Sequence, residues 1–185
     1  MEITEKKIRF PMTEQEARTL RAGDYVYISG NVYVARDAAH ARMQEALDRG
    51  DALPFDVKDN AVYYMGPSPA RPGQVIGSAG PTTAGRMDKY APRLIELGLR
   101  AMLGKGRRTD EVKEAARRCG CVYLATVGGA GALIAKCIKS SRVIAYEELG
   151  AEAVLEMTVE DLPAVVVLDC VGGDLYETEP AKYAR

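Results

Sequence analysis

Between Arg100 and Ala145 short apolar segments alternate with helix-forming ones. A chain that alternates in this way is committed to a sheet with helices packed on it. Arg100–Leu103, Val122–Thr126 and Ser140–Ala145 read as strands. Thr109–Cys119 and Gly131–Cys137 read as the helices between them. Thr109 caps the first, with Glu111 and Glu114 in its opening turns, and the Gly-rich turn Val127–Gly131 leads into the second. The first half is patterned differently. Thr13-Glu14-Gln15-Glu16 is a capping box that opens a short helix ending near Gly23. Asp24–Gly30 and Asn31–Ala35 alternate and are rich in Tyr, Val and Ile; with Gly30-Asn31 between them they predict a hairpin. Asp37–Arg49 predicts a helix with Ala39, Met43, Ala46 and Leu47 on one face, stopped by Gly50. A loop over Asp51–Asn60 precedes a strand at Ala61–Met65. Gly66–Gly73, with three prolines, is loop, and Gln74–Ala79 is a further strand. Met87–Leu99 reads as an amphipathic helix, and Val154–Val159 and Ala164–Asp169 as two late strands. The second of these is apolar enough to be central. The pattern predicts one α/β domain over residues 1–185, a mixed sheet flanked by helices.

A chain of 185 residues, 47% hydrophobic and 28% charged, can bury one core. A net charge of −1 gives no electrostatic case for a nucleic-acid partner. No apolar run approaches the roughly 20 residues that span a bilayer, so no membrane is expected. The opening Met1–Lys7 is charged and lacks a signal-peptide core, which predicts a cytoplasmic protein with reduced thiols. Cys119 and Cys121 are separated by one residue, not by the two of zinc and many cluster sites. Cys137 and Cys170 lie in a helix-like and a strand-like context, and the single histidine, His40, cannot build a histidine-rich site. No metal is expected on this chain.

The run Gly80-Pro81-Thr82-Thr83-Ala84-Gly85-Arg86-Met87-Asp88 joins the strand Gln74–Ala79 to the helix Met87–Leu99. Free backbone N–H groups, two hydroxyls, a helix start and the Arg86 charge would together suit a carboxylate. The same residues also suit a plain junction, with Thr82 or Thr83 as an N-cap and Pro81 as a turn residue. Two more cations stand at strand ends. Arg36 follows Asn31–Ala35 and opens Arg36-Asp37-Ala38-Ala39-His40, and Lys105 lies in Gly104-Lys105-Gly106. Each alone fits a surface ion pair; three together suit a dicarboxylic acid, which needs one cationic set per carboxylate. His40 fits either a support for Arg36 or a shuttle for protons, or simple packing on a helix face. The Gly128–Gly131 run lacks both the dinucleotide and the Walker fingerprint and reads as a tight turn.

These segments resemble the smaller, C-terminal part of the class I, iron–sulfur-dependent fumarases and the related tartrate dehydratases. The resemblance runs from about Arg21 to Tyr176 and rests on the Arg-Asp-x-x-His segment, the Gly-Pro-Thr-Thr signature and Gly-Lys-Gly. It implies a swivelling β/β/α domain. It implies that Arg36, Arg86, Lys105 and Thr83 contact a dicarboxylate substrate, with Asp37 and His40 in support. It makes Thr82 the proton-transfer residue, with Thr83 its rival. A neutral threonine hydroxyl is a very poor base, so that role demands strong activation by surrounding charge. The family's [4Fe–4S] cluster is held by three cysteines in the larger part. The resemblance therefore implies a β subunit, inactive alone, that works in a hetero-oligomer with a cluster-bearing α subunit, or forms a homodimer when isolated. Ala84-Gly85 before Arg86, and Asp88 rather than Glu after Met87, resemble the fumarases more than the tartrate enzymes. The expected reaction is hydration of fumarate to malate, with tartrate dehydration as the alternative. A non-catalytic dicarboxylate-binding or assembly module is the alternative of another class.

Overall fold

A computed structural model describes residues 5–183; residues 1–4, the start of the charged N-terminal stretch, and 184–185 lie outside it. Seven strands form one mixed sheet: β1 (Glu5–Phe10), β2 (Tyr25–Val34), β3 (Ala61–Tyr63), β4 (Ala101–Gly104), β5 (Val122–Ala125), β6 (Ile138–Ala145) and β7 (Val154–Leu168). The helices are α1 (Glu14–Ala17), α2 (Asp37–Arg49), α3 (Ala91–Glu96), α4 (Asp110–Cys119), α5 (Gly131–Lys136) and α6 (Leu175–Tyr183). The order is β1-β2-β3-β4-β5-β7-β6, with β2 also paired to β7. β1 to β5 run parallel, and β7 runs antiparallel to both β5 and β2. The pairing of β2 with β7 therefore closes β2-β3-β4-β5-β7 into a ring, with β1 and β6 as outer flaps.

Alternation along these strands builds two cores. Val32 and Val34 of β2, Ala61 and Tyr63 of β3, Leu103 of β4, Leu124 of β5 and Val166 of β7 belong to one cluster within the ring. The intervening residues Val62, Tyr64, Met102 and Tyr123 face the helices and pack with Met43, Leu94, Ile95 and Val112. β3, β4 and β5 are thus covered on both faces, which is why they read as short continuous apolar runs. α2 matches its predicted bounds: Gly50 ends it at φ 77°, and Ala39, Met43 and Ala46 are buried. Thr13 makes both hydrogen bonds of its capping box, but α1 ends at Ala17, short of Gly23. Among the described residues no helix is long and apolar enough to cross a membrane.

Four expectations are corrected. Asp24–Gly30 and Asn31–Ala35 are no hairpin but one strand, β2. Gly30 has φ 100°, and a Cβ there would collide with the Phe10 carbonyl of β1. The register against β7 shifts between Ile28 and Gly30 with the extra residue on β7, so this glycine lies inside one continuous strand, opposite a bulge, and not at a turn. Val154–Val159 and Ala164–Asp169 are likewise one 15-residue strand, with a bulge at Asp161 (φ 48°), whose N–H donates to Ser29 Oγ at 3.1 Å. Gln74–Ala79 joins no ladder: Ser78 N–H bonds Ser68 Oγ (2.8 Å) and Ala79 N–H bonds the Gly131 carbonyl (3.1 Å). Met87–Leu99 is divided into a 3₁₀ turn, Ala84–Met87, and the six-residue α3, because Asp88 turns inward to Arg108 and Pro92 restarts the helix. β1, with only Ile8 and Phe10 apolar, was not foreseen.

Candidate active site

The parallel strands β2 to β5 end at one rim, the position where open parallel sheets place ligands. Every candidate residue lies there. The signature is laid across the ends of β3 and β4 as extended chain. Pro81 pairs with Met65 and Thr83 with Lys105. The Thr82 N–H donates to the Tyr64 carbonyl (2.7 Å) and the Ala84 N–H to the Lys105 carbonyl (2.8 Å). This corrects the expected anion site at a helix start. Two of the backbone donors are already used, and α3 begins only at Ala91. Thr83 stands at the N-cap of the 3₁₀ turn without a side-chain capping bond, so the cap reading finds no support there. Thr82 is half-buried and Thr83 exposed. The positive charge of the rim therefore comes from side chains.

Those side chains form a chain of ion pairs. Arg86 Nη2 donates to Asp37 Oδ2 at 2.7 Å, Asp37 Oδ1 lies 3.9 Å from Arg36 Nε, and Arg36 Nη2 lies 3.1 Å from Glu152 Oε1. Glu152 also accepts the Ala38 N–H, 2.9 Å, which ties the start of α2 to the turn before β7. Gly66 makes room for Arg36, since a Cβ there would collide with the guanidinium. Among the described residues Arg36 Nε and Asp37 Oδ1 are buried without a hydrogen-bond partner and face each other across that 3.9 Å gap. Arg86 remains 47% exposed. Lys105 is exposed and makes no ion pair among the described residues; its Nζ would lie 3.6 Å from a Cβ on Gly128. Arg36, Arg86, Lys105, Thr82 and Thr83 are thus brought to one end of the sheet by the ends of β2 and β4 and the signature between them. Glu152 was missed, because nothing near it in sequence marks it as Arg36's partner.

His40 lies under Arg36. Its Nδ1 stands 2.8 Å from the Arg36 carbonyl, which can only accept, so Nδ1 carries the proton. Its ring is buried between Tyr64 and Tyr90, with centroids 5.5 and 5.9 Å away. Burial lowers its pKa to about 4, against an ordinary 6.5. The imidazole is neutral at pH 7 and supports the Arg36 backbone. As the pH falls from 6.5 to about 4 the unfolded chain takes up a proton that the folded chain refuses. Stability is then lost by up to about 3 kcal/mol. Because this is the sole histidine, one imidazole signal in an NMR pH titration reads it directly; a midpoint near 6.5 would refute the buried neutral ring.

Cys121 and Cys170 are buried, and burial pushes the Cys121 thiol up to about 12; Cys119 and Cys137 are half-buried, and all four are free. Among the described residues no three His, Cys, Asp or Glu side chains gather as a metal site. Val127 (67% exposed) and Leu133 (64%) flank the Gly128–Gly131 turn, and Val75 (50%) lines a cleft with Ala132, Ala135 and Lys136 of α5. A buried pair that sequence reading missed, Arg108 with Asp88 at 2.6 Å, underlies the signature.

Fold and rim together define the class: an α/β domain that presents clustered cations and paired threonines from one end of its sheet. The chain belongs to the family described as Fumarase C-terminus, whose model matches residues 2–179. It is 40% identical over 171 residues to the aerobic class I fumarate hydratase of Salmonella typhimurium, covering 90% of this chain and 30% of that protein. Against fumarate hydratase 2 of Leishmania major it is 42% identical, covering 88% of this chain and 29% of that one. A Methanocaldococcus jannaschii protein provisionally named L(+)-tartrate dehydratase subunit beta is 37% identical, with 96% of this chain and 92% of that one covered. The chain spans under a third of the fumarate hydratases it matches and nearly all of the subunit.

Proposed function

We propose that this chain is the β subunit of a two-part hydro-lyase that interconverts fumarate and L-malate. The observation that carries the reading is that the Arg86–Asp37–Arg36 chain, Thr82, Thr83 and Lys105, which has no ion pair among the described residues, stand at one end of the sheet, with Thr83 bridged to Lys105. Two carboxylates need two cationic sets, and this rim supplies two arginines on one element pair and a lysine on another. In malate dehydration a proton leaves the carbon beside one carboxylate and hydroxide leaves its neighbour, giving fumarate and water. Arg36, Arg86 and Lys105 would hold the carboxylates and steady the charge that develops on them. Thr82, with Thr83 as its rival, would exchange the carbon-bound proton. The [4Fe–4S] cluster implied by the resemblance finds no ligand set among the described residues. We assign it to an α partner. Free cysteines support a cytoplasmic setting.

The test is anaerobic co-expression with a cluster-bearing α subunit. Hydro-lyase activity is then assayed on fumarate and tartrate, with the purified complex and with this chain alone. Fumarate turnover by the complex only is the expected result. Tartrate turnover would keep the architecture and replace the substrate. Dicarboxylate binding with no complex would establish a stand-alone binding module instead.

A further inference from the structure

The backbone around Lys105 is tied at four points. The Gly104 carbonyl accepts the Thr126 N–H (3.1 Å) and the Lys105 carbonyl accepts the Ala84 N–H (2.8 Å). The other two ties are phenols. The Gly106 N–H donates to Tyr176 Oη at 3.0 Å, and Tyr123 Oη donates to the Gly106 carbonyl at 3.1 Å. Tyr123 is buried on β5, and burial raises its pKa well above the ordinary value, so it remains a donor. Tyr176 comes from α6, at the far end of the sequence. That helix is itself anchored: Lys113 of α4 bonds Asp174 Oδ2 (2.8 Å) and pairs with Glu177, and Asp174 Oδ1 accepts the Tyr176 N–H (2.9 Å). The two glycines permit the arrangement. Gly106 has φ 86°, and a Cβ on Gly104 would sit 3.1 Å from the Tyr64 ring, 3.3 Å from the Ala84 Cβ and 3.4 Å from Tyr123 Oη. The turn is therefore rigid while the Lys105 ammonium has no protein partner among the described residues.

We propose that Tyr123 and Tyr176 are positioning residues that set the Gly104–Gly106 turn so that Lys105 meets the substrate carboxylate already aimed. The proposal rests on the hydro-lyase reading for its ligand. An ammonium on a flexible stem loses affinity when its backbone is loose, because the wandering must be stopped on binding. Removing one hydroxyl costs the turn one hydrogen bond, a five- to tenfold effect on a local equilibrium.

The experiment uses the α–β complex with Tyr176→Phe, and with Tyr123→Phe as the second variant; both keep the ring. Hydrogen exchange at the Gly106 amide is expected to accelerate about five- to tenfold in Tyr176→Phe, with the amides of α4 unchanged. KM for fumarate is expected to rise by a similar factor, with kcat within twofold. In a Lys105→Ala background Tyr176→Phe is expected to add nothing further to KM. Unchanged Gly106 exchange overturns the proposal. So does faster exchange with wild-type KM, or additive effects with Lys105→Ala, either of which reduces the phenols to structural groups. If the wild-type complex has no hydro-lyase activity, the functional reading falls. Gly106 exchange then still decides whether the phenols hold the turn.

Discussion

In the reconstituted complex Arg86→Ala is expected to lower kcat/KM for fumarate by about 10²–10³, the usual loss when one charge-stabilising donor is removed from a reacting site. Stability should hardly change. Arg86 is half exposed, and its ion pair to Asp37 is of the surface kind that contributes at most about 1 kcal/mol. For a chain of this length that corresponds to a fall in Tm of no more than about 4 °C. Steady-state kinetics and a thermal melt on the same preparation separate the two effects. Wild-type kinetics in this variant would remove Arg86 from the carboxylate clamp. Removing Arg86 also leaves the Asp37 carboxylate facing Arg36 alone, so part of the loss will come through Arg36.

Asp88→Ala is expected to act the other way, on stability first. Asp88 Oδ1 accepts from Arg108 Nε at 2.6 Å and Asp88 Oδ2 from the Thr109 N–H at 2.7 Å. The Arg108 guanidinium is buried over the rings of Tyr64 and Tyr123, 5.3 and 5.0 Å from their centroids, and Nη1 donates to Met102 Sδ. Removing the carboxylate leaves a buried unpaired cation and takes the acceptor from the Thr109 N–H at the start of α4. The cost is about 3–5 kcal/mol, a Tm lower by roughly 10–15 °C. The double change Asp88→Ala with Arg108→Met should recover part of it, because it removes the stranded charge as well. Urea denaturation measures both. A loss under about 1 kcal/mol for Asp88→Ala would show that Arg108 is not held as described.

Elements whose signals are local were legible in the sequence. α2 carries its own stop in Gly50, and α1 its own capping box at Thr13. Elements defined by a distant partner were not. Gly30 looks the same in sequence whether it turns a hairpin or lies within a strand at positive φ, since glycine suits both. Only the approach of Phe10 from β1 decides, and β1 itself shows just two apolar residues. The same holds at the rim. Arg36, Arg86 and Lys105 announce themselves by glycine-rich or strand-end settings, and the fold does collect them. That Asp37 bridges both arginines, that Glu152 backs Arg36, and that Asp88 is spent on Arg108 are consequences of folding with no sequence neighbour to report them. The helix-start reading of the signature failed for a related reason. The N–H groups of Thr82 and Ala84 are taken by the ends of β3 and β4, which the local pattern does not reveal.

The seam between β2 and β7 joins Tyr25 to Val165 and Val34 to Leu155, residues 140 and 121 positions apart in sequence. On the ribosome, β2 emerges well before β7 and must wait for the intervening strands before that partner exists. During that interval its hydrogen-bonding edge and the apolar interior meant to lie behind it stay open to other molecules. Pairings so remote in sequence make for slow folding. The nascent protein is therefore most exposed to aggregation or to chaperone capture just before β7 emerges, and a chain halted upstream of Val154 has no way to hide that interior.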